Sequence, residues 1–228
     1  MILLLAAAFA TAAPAAAAPC PELVTPNALI CRALEAQRQE DPAAAAQNFE
    51  QAALAAADKD AAPMFAAAGN MWIAADQPAK AATALDKAIA LPGLTAPQRG
   101  EALLDRARAA ESLGDYKTAR DKLNAAAASV SGDPFYWYFS ASLAVREGDA
   151  ATAKSAIAEA LSMAPQDPTV LFEAGHVAHA TGDDDKARGY WQQAAANDPN
   201  GASGKAAAKS IELLGVTPVV KLEPASPK

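Results

Sequence analysis

Small and large apolar residues recur along this chain at helical spacing, in paired stretches separated by short polar punctuation. The pattern is sharpest between Asp133 and Pro199. Asp133-Pro134 opens an apolar stretch carrying Trp137 and Ala141, Gly148-Asp149 interrupts it, a second stretch carries Ala153, Ile157 and Ala160, and Pro165 closes it. Moved along by 34 residues, the same marks return as Asp167-Pro168, Gly182-Asp183, Ala187, Ala194 and Pro199. Each mark has a local cause. Aspartate is a good N-cap, and proline is tolerated in the first helical turn, where its missing N–H costs nothing. Glycine adopts the left-handed conformation that ends a helix. The chain is therefore predicted to form helices over 134–147, from Asp149 to about Met163, from Pro168 to a stop at Gly182, and over 184–197.

The period extends backwards with increasing drift. Residues 100–133 carry Leu103, Ala107, Gly114-Asp115, Ala119, Leu123 and Ala126, with Ser131-Gly132 in place of the closing proline. Residues 62–95 carry Ala68-Gly69, Trp72, Ala81, Leu85 and Ala88, and Asp76-Gln77 stands where the later units have Gly-Asp. About four extra residues, near Gly93 to Pro97, follow that unit. Residues 26–59 are the most degenerate, with Leu29, Ala33, Glu40-Asp41, Ala45, Phe49 and Ala52. A last helical stretch, 202–214, has Ala208, Ile211 and Leu214 at helical spacing. Residues 215–228 carry three prolines and few large apolar side chains, and are expected to be disordered.

A 34-residue helix–turn–helix period is the mark of a stacked array. Trp137, Ala141, Gly148, Ala153, Ile157, Ala160 and Pro165 resemble the tetratricopeptide repeat, as do Leu171, Gly175, Gly182, Ala187, Trp191, Ala194 and Pro199. The resemblance implies an all-α, right-handed α-solenoid of about five hairpins, with repeats at 26–59, 62–95, 100–133, 134–167 and 168–201 and a capping helix at 202–214. It also implies a non-enzymatic scaffold that binds a protein or peptide in a concave groove lined by the first helix of each hairpin. In that register the groove carries Ile30, Leu34, Gln37, Ala66, Asn70, Ile73, Leu104, Arg108 and Glu111. It continues through Phe135, Tyr138, Ser142 and Val145 to Phe172, His176 and His179. Family members that grip a peptide carboxylate use a cluster of Lys/Arg and Asn, for which Asn70 and Arg108 are too few. An apolar peptide or amphipathic helix is the better fit. Within the aromatic run Phe135 to Phe139, Trp137 is expected at the seam between helices, Phe135 and Tyr138 towards the groove, and Tyr136 and Phe139 against the neighbouring hairpin.

Composition narrows this further. Half of the residues are apolar, many of them alanine, which favours closely packed helices. The net charge is -7 without a basic stripe, which argues against nucleic acid as a partner. The N-terminal apolar stretch Ile2 to Ala10, followed by small residues, resembles a secretory signal peptide with cleavage after Ala17, though no Lys or Arg precedes it. A helical cap is the alternative reading. A leader over 18–25 would follow, and a periplasmic protein without a transmembrane segment after cleavage is expected. In an oxidising compartment Cys20 and Cys31 would bridge, closing a loop worth on the order of 3 kcal/mol. Two free thiols, or a lipidated Cys20, are the alternatives. No phosphate-binding loop, catalytic constellation or cofactor motif is present. His176 and His179 share a helix face and suggest a metal or small-ligand carrier as one alternative function. A self-associating envelope protein is another. No carboxylate is evident beside the histidines in the sequence, so no metal site is assigned.

Overall fold

The computed structural model describes residues 20–214; the signal-peptide and disordered-tail expectations (1–17 and 215–228) lie outside the described residues. Within them are eleven helices and no strand. They are α1 (Pro26–Arg38), α2 (Pro42–Ala55), α3 (Asp58–Ala74), α4 (Pro78–Ala90), α5 (Ala96–Ser112), α6 (Tyr116–Val130), α7 (Pro134–Glu147), α8 (Ala150–Met163), α9 (Pro168–Ala180), α10 (Asp184–Asn197) and α11 (Ala202–Leu213). Each helix packs on its neighbours in sequence, and α3 also meets α5, α7 meets α9, and α9 meets α11. Such purely local packing makes an α-solenoid, in which each hairpin is stabilised by the next.

The caps follow from the punctuation. The side chains of Asp133, Asp149, Asp167 and Asp183 each accept a backbone N–H in the first turn of the helix that follows. Thr95 and Gln98 form a reciprocal capping box at the start of α5. Both α3 and α5 begin four residues before the unit boundaries that the period suggests, because the chain ahead of each unit is also helical. Small residues let paired helices approach, and a bulky side chain fills the seam. Gly69 packs under Leu85 and Gly175 under Trp191, at the same two repeat positions.

The hairpin turns show what the drifted units tolerate. Gly114, Gly148 and Gly182 have φ between 75° and 84°, and in the first two units Glu40 (φ 59°) and Asp76 (φ 54°) adopt the same left-handed conformation. A glutamate there carries a Cβ penalty that glycine avoids. Glu40→Gly should therefore stabilise the N-terminal hairpin by about 1 kcal/mol, the relief of strain outweighing the added unfolded-state entropy. A rise in the urea midpoint at unchanged slope would register it; a fall would show that Glu40 makes compensating contacts.

Cys20 and Cys31 form a disulfide, with Cα atoms 5.7 Å apart. It ties the segment before α1 to the middle of that helix, and Arg32 Nη2 donates to the Leu23 carbonyl at 2.7 Å to hold the same segment. The core is alanine-rich and divides into successive clusters along the array. Its largest fully buried side chains, among them Trp72, Leu85, Leu123, Leu143 and Leu171, sit one or two per hairpin.

Candidate functional site

The first helices of the hairpins, α1, α3, α5, α7 and α9, carry the residues expected on the concave face. Asn70 is exposed, and Arg108, Phe135, Tyr138, Ser142, Phe172, His176 and His179 each keep part of their surface open to solvent. Leu104 departs from expectation. It is 7% exposed and belongs to the core, because α5 buries the adjacent pair Leu103 and Leu104 together.

Four of these residues form a connected ribbon from α3 to α7. Asn70 Nδ2 donates to Asp105 Oδ2 at 2.8 Å, and Arg108 Nη1 meets the other carboxylate oxygen at 2.9 Å. The Arg108 guanidinium lies 5.4 Å from the centre of the Phe135 ring, and Phe135 meets Tyr138 edge to face at 4.9 Å. Asp105 thus occupies the two groups that come nearest to a carboxylate clamp. A charged, hydrogen-bonded internal partner is already where a peptide carboxylate would have to go. Burial pushes the Tyr138 phenol up to about 12; Arg108 opposes the shift, and Glu173, Asp167 and Asp133 add to it. The phenol is therefore neutral throughout the physiological range and available as a hydrogen-bond donor between α5 and α9.

A second cluster lies on α9. The Phe172 and His176 rings are 4.2 Å apart, and both histidines rest against Trp191, at 5.6 and 5.9 Å. The absence of a carboxylate beside them, expected from sequence, is corrected here. Glu173 reaches His176 at 3.7 Å from the preceding turn of α9, and Asp184 meets His179 Nδ1 at 2.8 Å across the hairpin turn. Among the described residues no three His, Cys, Asp or Glu side chains gather as a metal site.

The aromatic run divides along the helix. Tyr136 and Phe139 are buried against the α5–α6 hairpin, Phe135 lies at its edge, and Tyr138 bridges that cluster and the next. Trp137 is only half-buried, packing on both clusters, and its Nε1 donates to the Ser131 carbonyl at 2.9 Å.

At the other end, Ile30, Gln37, Ala66 and Asn70, assigned to the concave face by register, line two clefts whose depth the sequence does not reveal. A cleft of about 770 Å³ opens between α1 and α3, with Ile30, Phe49 and Met64 among its lining. A smaller one of about 340 Å³ continues towards α5, past Asn70 to Glu101 and Asp105. The available signal was an absence of bulk: Pro63 and Ala66 stand at the repeat positions that Phe135 and Tyr138 fill in α7.

Residues 73–134 and 140–202 match the family model described as tetratricopeptide repeat. No curated protein matches the chain. Among solved structures, PilW, described as a widely conserved type IV pilus biogenesis factor, aligns at 22% identity with a TM-score of 0.66, covering 80% of this chain and 82% of its own. MamA from Desulfovibrio magneticus RS-1 aligns at 16% identity and a TM-score of 0.64, covering 76% and 95%. YrrB, described as a protein of this repeat type with an unusual peptide-binding site, aligns at 19% identity and 0.57, covering 80% and 91%. At these identities the similarity is one of fold. No helix among the described residues is long and apolar enough to cross a membrane.

Proposed function

The chain belongs to the tetratricopeptide repeat family, and from that membership we propose that it is a periplasmic interaction scaffold without catalytic activity of its own, holding an apolar peptide or partner helix on its concave face. The observation that carries this reading is the partly exposed aromatic surface shared by consecutive first helices, Phe135 and Tyr138 on α7 and Phe172 on α9. Rigid aromatic side chains supply contact area at low entropic cost and are enriched at the energetic centres of interfaces. The neutral Tyr138 phenol would help to fix the direction of a bound peptide by hydrogen bonding, while Arg108 stays paired with Asp105. Location in an oxidising compartment is supported by the N-terminal apolar segment and by the Cys20–Cys31 bridge.

The test is capture of partners from a periplasmic extract. Tyr138→Ala combined with Phe172→Ala should lower recovery at least about tenfold, a loss of 1.4 kcal/mol or more. His176→Glu, at a more exposed position, should weaken capture without affecting the fold. Undiminished capture by both variants would remove the groove from the proposal.

A further inference from the structure

First helices stand apart at two places in the array. Neither α1 and α3 nor α5 and α7 approach as closely as α3 and α5 or α7 and α9 do. Between α5 and α7 the space is filled from within, by Phe135 stacked 6.0 Å from Phe139 and lying under Arg108. Between α1 and α3 it is not filled. The α3 positions that correspond to Phe135 and Tyr138 are Pro63 and Ala66, so Phe49 of α2 is left as the floor of the 770 Å³ cleft, walled by Ile30 and Met64. The rim carries Lys59 beside Asp60, and the acidic side lies towards α5, where the adjoining cleft carries Glu101 and Asp105. The site therefore suits a short extended segment with aliphatic side chains and a cation between them.

Such a segment is present in the chain. Thr217–Pro224 reads TPVVKLEP, with Val219, Val220 and Leu222 around Lys221 and a proline near each end. Prolines bias the backbone towards an extended conformation, which lowers the entropy lost on docking. The segment cannot serve its own cleft. In sequence it follows α11, and four helix-to-helix steps of about 8–10 Å separate α11 from α3. The five residues from Gly215 to Val219 span at most about 17 Å.

We propose that residues 217–224 of one copy dock in the α1–α3 cleft of a second copy, with Lys221 at the α5 side towards Glu101. The contact joins different surfaces of two copies and so is heterologous, giving a ring or an open head-to-tail chain. It uses the end of the concave face opposite to the aromatic surface on α7 and α9, and stands or falls separately from the function proposed above.

The test uses the full chain and a fluorescently labelled peptide of residues 215–228. Light scattering should show a mass that rises with concentration, and Val220→Asp should hold the chain monomeric. The peptide should bind the Val220→Asp chain saturably and at least about tenfold more weakly once Met64→Glu or Glu101→Lys is added. Glu101 is exposed, so its reversal tests the site even where Met64→Glu perturbs folding. The chain carrying Tyr138→Ala and Phe172→Ala should assemble as the unaltered chain does. A full chain that stays monomeric at several hundred micromolar, peptide binding indifferent to both cleft variants, or assembly that survives Val220→Asp would each overturn the proposal.

Discussion

Replacing Gly175 by valine is expected to cost about 3 kcal/mol or more and to loosen only the C-terminal part of the array. A Cβ at position 175 would fall inside the van der Waals envelope of the Trp191 indole, meeting Nε1, Cδ1 and Cε2 together. Trp191 is 3% exposed and anchors the cluster that joins α9, α10 and α11. Overpacking of this kind costs about 1–3 kcal/mol by itself. The indole also donates to the Phe172 carbonyl at 3.1 Å, and displacing it strands a buried donor at a further cost of about 1–3 kcal/mol. Because coupling in a solenoid runs between neighbours, α1 to α4 should keep their protection from hydrogen exchange while α9 to α11 lose theirs. The same variant should disturb Phe172, His176 and His179, which all rest on or near Trp191. Stability within about 0.5 kcal/mol of the original, or a uniform loss of protection along the chain, would refute the packing account.

The repeat positions of Gly175, Trp191, Gly69 and Leu85 were legible in the sequence, and the structure shows that each glycine packs under the bulky residue of its own hairpin. The turns at Glu40 and Asp76 were legible in position, each standing where a better-formed unit has glycine, and their left-handed backbone follows from that place. Features that depend on how hairpins sit against each other were not. Leu104 occupies a groove position by register, yet α5 buries it, since the depth of a face depends on the neighbouring helix and not on the period alone. The hydrogen bond from Asn70 to Asp105 and the approach of Asp184 to His179 join residues on different helices, and nothing in an evenly charged sequence singles those pairs out. The cleft between α1 and α3 was hidden because it arises from side chains that are small, whereas attention to aromatic residues leads to the end of the array where the space is already filled.

Arg120→Ala should cost about 2 kcal/mol and uncouple the two halves of the solenoid. Arg120 on α6 binds Glu147 on α7 through Nε and Nη2, the shortest contact being 2.6 Å. Its Nη1 also donates to Ser140 Oγ at 3.0 Å, and Nη2 to the Ser140 carbonyl at 3.3 Å. Ser140 is a buried polar residue, 6% exposed, and the ion pair at the surface beside it is partly covered, at 21% and 23% for the two side chains. Truncation therefore leaves the buried Ser140 hydroxyl without a partner and its carbonyl without this donor, and removes the pair with Glu147, which water can still reach; the stranded Ser140 groups make this more costly than losing a surface pair alone. The location amplifies the effect. At this junction α5 and α7 do not pack closely; α6 and α7 do, with Tyr136, Phe139 and Leu143 buried against the α5–α6 hairpin, and Arg108 over Phe135 and Arg146 to Glu111 at 3.6 Å add side-chain bridges. Urea unfolding of the Arg120→Ala chain should separate into two transitions, assigned by hydrogen exchange to residues 20–130 and 134–214. In a double-mutant cycle with Glu147→Ala, a coupling of about 1–2 kcal/mol is expected, since the two groups lose one shared interaction. A single transition at the original midpoint, with no coupling to Glu147, would show that aromatic packing by Tyr136 and Phe139 alone holds the halves together.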